Sequence, residues 1–434
     1  MSRLLLADLT WTGERFESGV QIAIDDNGRI IALERSPDPG ADRLKGVALL
    51  PGMINTHSHA FQRGLRGRGE SFPSGAGSFW TWREAMYGLV TSLNRDGLRR
   101  LSAQAFAEMR DAGITSVGEF HYLHHEHDTD FALDEAVLEA ARDSGIRMVL
   151  LYSYYATSAP GRPLEGAQRR FATPTVEGFW RQVERLAQRL DPHTQTLGIA
   201  PHSIRAASPQ DIALLYAEAA RRGLPVHLHV EEQQREIEEC VAAYGKAPMA
   251  LILEAVEGGS FTAVHCTHTS ESDLKRFFST GGVACLCPLT EGNLGDGIPR
   301  LPAGESARAR LALGTDSNNR LAMLEEMRWL EYGQRLGREM RGALADSTGR
   351  LAPVLLAAAT LGGAKALALP AGKIAAGCWA DLVAIDLQAP SLAQVSPDHL
   401  LDAMVFGAGN EVILGTYVGG RWRPTGQSVE AVRA

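Results

Sequence analysis

Nowhere in these 434 residues do about 20 apolar residues run without interruption, the length a membrane helix requires, so no membrane span is expected. Cysteine is scarce and odd in number, five in the whole chain, which argues against a secreted disulfide framework and fits a reducing, cytoplasmic setting. Positive charge is in deficit: 43 Lys and Arg stand against 51 Asp and Glu, a formal net charge of -8. Such a chain offers no general field to nucleic acid or acidic lipid, so an anion site must be built locally from a few cations. Solenoid repeats and low-complexity linkers are also missing. The opening MSRLLLADLTWTGERFE holds only a brief apolar run before Asp8, and no export signal is expected from it.

What is present is an ordinary globular composition, 45% hydrophobic and 22% charged, on a chain long enough to bury a large core. Residues 3–50 read as short strands, LLLADL and then VQIAIDDNGRIIALE, where Asp26-Asn27-Gly28 between alternating runs predicts a hairpin. From residue 49 the pattern changes. Strand-like apolar runs at 49–59, 115–123, 147–156, 196–204, 225–232, 261–269, 283–290 and 310–318 alternate with helical patterns at 96–112, 131–144, 176–190, 208–222, 246–257, 270–279 and 321–343. Eight such units predict an α/β fold, a (β/α)8 TIM-like barrel, in preference to a doubly wound sheet. Near the end GKIAAGCWADLVAIDL and NEVILGTYVGGRWRP return to strands and glycine turns. The expected organisation is therefore a barrel over 51–369 beside a small β-sandwich domain made from both chain ends, 1–50 and 370–434.

Catalytic groups of such barrels sit where strands end. Run one ends in His57 and His59, run five in His229 and Glu232, run six in His265 and His268, and run eight in Asp316. Two residues apart in an extended segment, His57 and His59 point to one side and can hold one ion together. Alone a His-x-His is as readily structural; with His229 and Asp316 the set suits one divalent metal ion, Zn2+ first, with a position left for water. Iron(II) and manganese also accept such donors. Glu232 is placed to move protons to a leaving nitrogen. Its neighbour Glu231, in the charged run EEQQREIEE, is expected to be solvated. No lysine ends run four, GIAPHSIR, so a bridged metal pair is not expected. HYLHHEHD (121–128) crowds four histidines at one loop start and is expected to be ordinary loop, and Cys285 and Cys287 are expected to be buried thiols.

Taken in order, PGMINTHSH, HLHVEE, VHCTHTS and LALGTDS, with GKIAAGCWADLVAID as a C-terminal return, resemble the amidohydrolase superfamily over almost the whole chain. That resemblance implies a distorted barrel beside a β-sandwich and a mononuclear zinc site. It also implies Asp316 as the base that takes a proton from the attacking water, Glu232 as proton shuttle and His265 as polarising group. Local signatures resemble the branch that removes ammonia from N-formimino-L-glutamate: THSHAFQRG with Gln62, FWTWREAMY with Arg83, EFHY with Tyr122 and APHSIR with His202 and Arg205. CPLTEGNLGDG adds Thr290-Glu291 where nucleobase and triazine relatives show Ser-Asn.

The expected partner is thus a small dicarboxylate, gripped by the planar donor forks of Arg83 and Arg205 and oriented by Gln62, Tyr122 and His202. A homodimer is the expected assembly. Two rivals stand beside this reading. One is a deaminase of an aromatic ring, a guanine or adenosine derivative stacked on Trp80 and Trp82; the other is a non-catalytic scaffold, against which the intact ligand set speaks.

Overall fold

A computed structural model describes residues 3–70, 72, 77–127 and 129–426. Residues 1–2 and 427–434 of the expected β domain, and Asp128 of the histidine-rich segment, lie outside them. Five strands open the chain: β1 (Arg3–Trp11), β2 (Phe16–Glu17), β3 (Gln21–Ile24), β4 (Ile30–Glu34) and β5 (Asp42–Pro51). The hairpin read from Asp26-Asn27-Gly28 joins β3 to β4 antiparallel. Gly28 there has φ +81°, and a Cβ on it would lie 2.4 Å from the carbonyl oxygen of Gly419, so only glycine serves.

Eight strands follow at the eight apolar runs: β6 (Met53–Ser58), β7 (Ile114–His121), β8 (Arg147–Tyr154), β9 (Gln195–Pro201), β10 (His227–Val230), β11 (Thr262–His265), β12 (Val283–Leu286) and β13 (Leu311–Leu313). They read as continuous apolar runs because parallel strands are covered on both faces, and β6, β7 and β8 are buried at every residue. Strands β6 to β9 pair in parallel, as do β10 to β13. Single parallel bridges, Ile199 to Val226 and Ser58 to Asp316, join the two groups and close the ring.

Strands β14 (Leu382–Asp386), β15 (Ile413–Val418) and β16 (Arg421–Pro424) then return to the N-terminal ones. The order β16-β15-β14-β5-β1-β3-β4, with β2 on β1, is one hydrogen-bonded sheet folded over its own apolar core, which includes Leu5, Ile22, Ile30, Leu49, Leu382 and Tyr417.

A buried bolt fastens this sheet to the barrel. Arg147, opening β8, gives Nε and Nη2 to the Asp381 carboxylate at 2.6 and 3.0 Å, and its guanidinium lies 4.0 Å from the Trp379 ring. Both charged side chains are buried, so truncating one strands the other without its counter-charge. Asp381→Ala should cost about 3–5 kcal/mol of unfolding free energy in urea titrations.

Six expected helices lie where the periodicity puts them, while the seventh, read as 321–343, is the shorter Met323–Arg338. It stops because Glu339 turns left-handed at φ +53° and Glu331 takes the backbone N–H groups of Ala343 and Leu344. The helix Phe79–Ser92 was hidden by its mixed tryptophan-rich pattern. The charged run EEQQREIEE is not a solvated stretch: it enters the helix Gln234–Tyr244, whose Glu236 is buried.

Candidate active site

The C-terminal ends of the barrel strands bring the sequence-derived residues to one place. His59, Gln62, Arg83, Tyr122, His202, Arg205, His229, Glu232, His265 and Asp316 all line a single inner cavity, with His57 fully buried directly behind it. Arg83, Tyr87 and Arg205 also border an outer pocket of about 700 Å3, so the inner cavity and this vestibule share a wall.

At the floor, His229 Nε2 lies 3.3 Å from His59 Nε2 and 3.2 Å from His57 Nε2. Asp316 Oδ1 lies 3.3 and 3.4 Å from the same atoms of His57 and His59. A tetrahedron with metal–nitrogen bonds near 2.0 Å has edges of about 3.3 Å, so these four donors fit one zinc-sized ion. Their chemistry agrees. Burial drives the His57 imidazole down to about 3 and lowers His59 and His229 as well, which keeps the ring nitrogens neutral and free to ligate. The far nitrogens of His59 and His229 face the Phe120 and His202 carbonyls at 2.8 and 3.1 Å, fixing the tautomers that turn Nε2 to the centre. His265 makes a second grouping with His57, His229 and Asp316, but its Nε2 is 4.0 Å from Asp316 Oδ2, outside the tight set.

The strand ends that carry these groups are bent hard. Glu231, His265, Cys266, Asp316 and Asn318 all have positive φ, a conformation that non-glycine residues keep only where surrounding packing enforces it. Gly314, two residues before Asp316, has no alternative: a Cβ would sit 2.9 Å from the His57 carbonyl oxygen and 3.0 Å from Cys287 Sγ.

Above the floor, burial raises the Glu232 carboxyl despite the nearby charges of His265 and Arg205. Its Oε1 is 3.8 Å from His265 Nε2. His265 turns Nδ1 to Glu291 Oε1 at 3.3 Å, and its buried Nε2 has no hydrogen-bond partner among the described residues. Burial pushes this imidazole down, but the carboxylates of Glu232, Glu291 and Asp316 outweigh it and hold the pKa well above the ordinary value. Glu291, in the Thr290-Glu291 signature, is therefore the acceptor that orients His265, and its backbone anchor is the Cys287 N–H at 2.9 Å.

Gln62 donates through Nε2 to the Tyr122 hydroxyl at 2.7 Å, leaving a buried Oε1 without a donor among the described residues. The His202 ring packs between Tyr155 and His229, 4.7 and 4.6 Å away. The two arginines differ. Arg205 is buried, with Nη2 3.6 Å from Glu232 Oε2. Arg83 is half-buried, 4.5 Å from the Trp80 ring, with no carboxylate partner among the described residues. Trp80 also receives Arg235 at 4.4 Å and lines the outer pocket, so of the two tryptophans only Trp82 reaches the inner cavity.

Two expectations are corrected. Glu231 is buried, accepting the Met249 N–H at 2.9 Å at the start of the helix Pro248–Ala255. The histidines of 121–128 are not ordinary loop: His121, His124 and His125 are buried, and His121 and His124 meet Asp134 Oδ1 at 3.0 and 2.8 Å. Tyr152 and Gln182 donate to the other oxygen of Asp134, so its acceptor sites are taken up by protein donors. His268 stays at the rim beside Gln234.

Burial also lifts the Glu236 carboxyl, near Arg205, to about 7. A carboxyl raised from its ordinary 4.5 holds a proton in the folded chain that the unfolded chain has released, so its contribution is lost as pH rises through 7. Glu236→Gln should therefore gain stability over the parent by about 2 kcal/mol more at pH 8 than at pH 5, read from paired denaturant titrations.

Comparison with known proteins agrees with this geometry. The chain is 39% identical to the formimidoylglutamate deiminase of Pseudomonas aeruginosa over 431 residues, covering 96% of this chain and 94% of the relative. A solved amidohydrolase from Brucella melitensis superposes with a TM-score of 0.81 at 31% identity, covering 97% of this chain and 96% of that one. A zinc-bound adenosine deaminase from Xanthomonas campestris shares the fold, with a TM-score of 0.80 at 24% identity over 97% of this chain and 92% of that one. The model of the amidohydrolase family matches residues 48–423, and with the barrel and its donor-lined mouth this establishes that the chain belongs to the amidohydrolase family.

Proposed function

We propose that the protein hydrolyses N-formimino-L-glutamate to N-formyl-L-glutamate and ammonia, with one divalent ion, zinc by preference, held by His57, His59, His229 and Asp316. Such an ion, when bound, supplies an acidified water and a Lewis-acid contact. Water adds across the C=N bond of the formimino group, the terminal nitrogen departs as ammonia, and the carbon keeps the oxygen as a formyl group. Asp316 takes the proton of the attacking water. Glu232 carries protons to the terminal nitrogen, and its raised, burial-driven pKa suits that traffic. His265, oriented by Glu291, offers Nε2 to the developing charge. Gln62 Oε1, lacking a donor among the described residues, suits an N–H of the formimino group.

The observation that carries this reading is that two guanidiniums, Arg83 and Arg205, border the cavity that holds the ligand cluster. In a protein of net charge -8 such a pocket suits a doubly negative guest. The 39% identical relative supports the same substrate. The ring-deaminase reading is weaker, because both Arg83 and Arg235 already stack on Trp80. Ammonia release measured with N-formimino-L-glutamate, guanine and adenosine separates the two: turnover is expected on the first alone, and preference for a purine would refute the proposal. Proton NMR of the products should show N-formyl-L-glutamate; formamide would mean that the other C–N bond breaks. All five cysteines are buried free thiols, which supports a reducing compartment such as the cytoplasm, and a homodimer is the assembly we expect light scattering to find.

A further inference from the structure

The barrel closes between β13 and β6 through one backbone bridge, Ser58 to Asp316, and the donor set straddles that seam. His57 and His59 lie on its β6 side and Asp316 on the other. Asp316 Oδ1 can stay 3.3 and 3.4 Å from the His57 and His59 nitrogens only if the two sides keep their offset. Main-chain bonds contribute: the N–H groups of Thr315 and Asp316 both donate to the His57 carbonyl at 3.0 Å, and the His59 N–H donates to the Asp316 carbonyl at 2.9 Å.

A chain of buried side chains fastens the same seam. Asn55 Oδ1 accepts the Thr315 N–H at 2.9 Å, which fixes the orientation of the amide. Its Nδ2 then donates to Thr315 Oγ1 at 2.6 Å. That hydroxyl has one proton, given to Asn318 Oδ1 at 2.6 Å, so Asn318 Nδ2 is left to donate to Ser58 Oγ at 3.1 Å. Ser58 pairs with Glu119 across the β6–β7 ladder, and Glu119 Oε1 takes the Ala60 N–H at 2.7 Å. Every donor direction follows from the first, because each acceptor is consumed in turn. Asn55, Ser58, Glu119, Thr315 and Asn318 are each at most 1% exposed. Ser58 lies between His57 and His59, Thr315 precedes Asp316, and Asn318 holds φ +55° two residues after Asp316.

We infer that Asn55, Thr315, Asn318 and Glu119 are positioning residues of the metal centre, a side-chain clasp that holds the His57–His59 strand at a fixed offset from Asp316. None of them reaches the inner cavity, so they act through the ligands. The inference rests on the metal site proposed above. A clasp that only stabilised the fold would lower melting temperature and leave ion affinity alone; one that sets ligand geometry changes affinity.

The test is a Zn2+ titration of the metal-free full-length chain against a chromophoric chelator, with Co2+ absorption as a second readout of coordination geometry. Parent, Asn55→Ala, Thr315→Val, Asn318→Gly, Glu119→Ala and Glu119→Gln are compared, with Asp381→Asn as a variant weakened far from the site. Removing a clasp member should weaken Zn2+ binding roughly 10–100-fold and alter the Co2+ spectrum. Glu119→Gln, which keeps an acceptor oxygen, should bind within a few-fold of the parent, and Asp381→Asn should melt earlier with unchanged affinity. Thr315→Val and Asn318→Gly keep the test open if Asn55→Ala fails to fold, since the first preserves shape and the second preserves the left-handed turn. Clasp variants that melt early yet bind Zn2+ as tightly as the parent would overturn the inference alone; a parent that binds no Zn2+ would overturn the metal reading with it.

Discussion

Exchange of Asp316 for asparagine should reduce ammonia release from N-formimino-L-glutamate by about three to four powers of ten at saturating substrate. The size follows from a double duty. Asp316 is the only anion among the four donors, 3.3 and 3.4 Å from the His57 and His59 nitrogens, and it is the base in the proposed reaction. Burial works against its charge, yet the contact with His57 and the charge of His265 hold its pKa below the usual carboxylate range, so it stays ionised. Asparagine keeps the shape and loses both the charge and the proton affinity. Measured beside the metal content of the same sample, a variant that keeps more than about a tenth of the parent rate would remove Asp316 from the mechanism.

The second large effect falls on the two arginines and should differ between them. Arg83 has no carboxylate partner among the described residues, so Arg83→Ala removes a substrate contact and little else. Its KM should rise about 100-fold, corresponding to roughly 3 kcal/mol for a lost charge-assisted pair, with kcat much less affected. Arg205 is buried 3.6 Å from Glu232. Arg205→Ala should therefore raise KM and also lower kcat, because the proton carrier loses its neighbouring cation and its pKa climbs further. Steady-state kinetics on both variants decides the matter, and equal effects on kcat and KM from the two substitutions would contradict this division of labour. Both should also lose their preference for a dicarboxylate over a formamidine lacking carboxylates.

Much of this was legible because the chemistry sits where one-dimensional patterns are strongest. Barrel strands covered on both faces are unbroken apolar runs, and a histidine or aspartate ending such a run stands out, as His57, His59, His229, His265 and Asp316 do. What escaped was decided by three-dimensional neighbours. Glu231 and Glu232 are adjacent and alike in sequence, but the left-handed turn at Glu231 sends one carboxylate to the start of a helix and the other into the cavity. The same holds for Arg205, whose ion pair with Glu232 joins the ends of two different strands. Glu119 left a usable trace, since a carboxylate inside an otherwise buried strand needs a donor, here the Ala60 N–H. Asp134 left a weaker one, because its partners His121, His124, Tyr152 and Gln182 are spread over 62 positions of sequence.

The most direct test of the central claim is a titration of chelator-stripped protein with Zn2+, following ammonia release from N-formimino-L-glutamate at each addition. One ion gripped by three imidazoles and an aspartate predicts activity that starts near zero, rises linearly and levels off at one equivalent per chain. Full turnover in the stripped protein, or a plateau reached only at two equivalents, would contradict it.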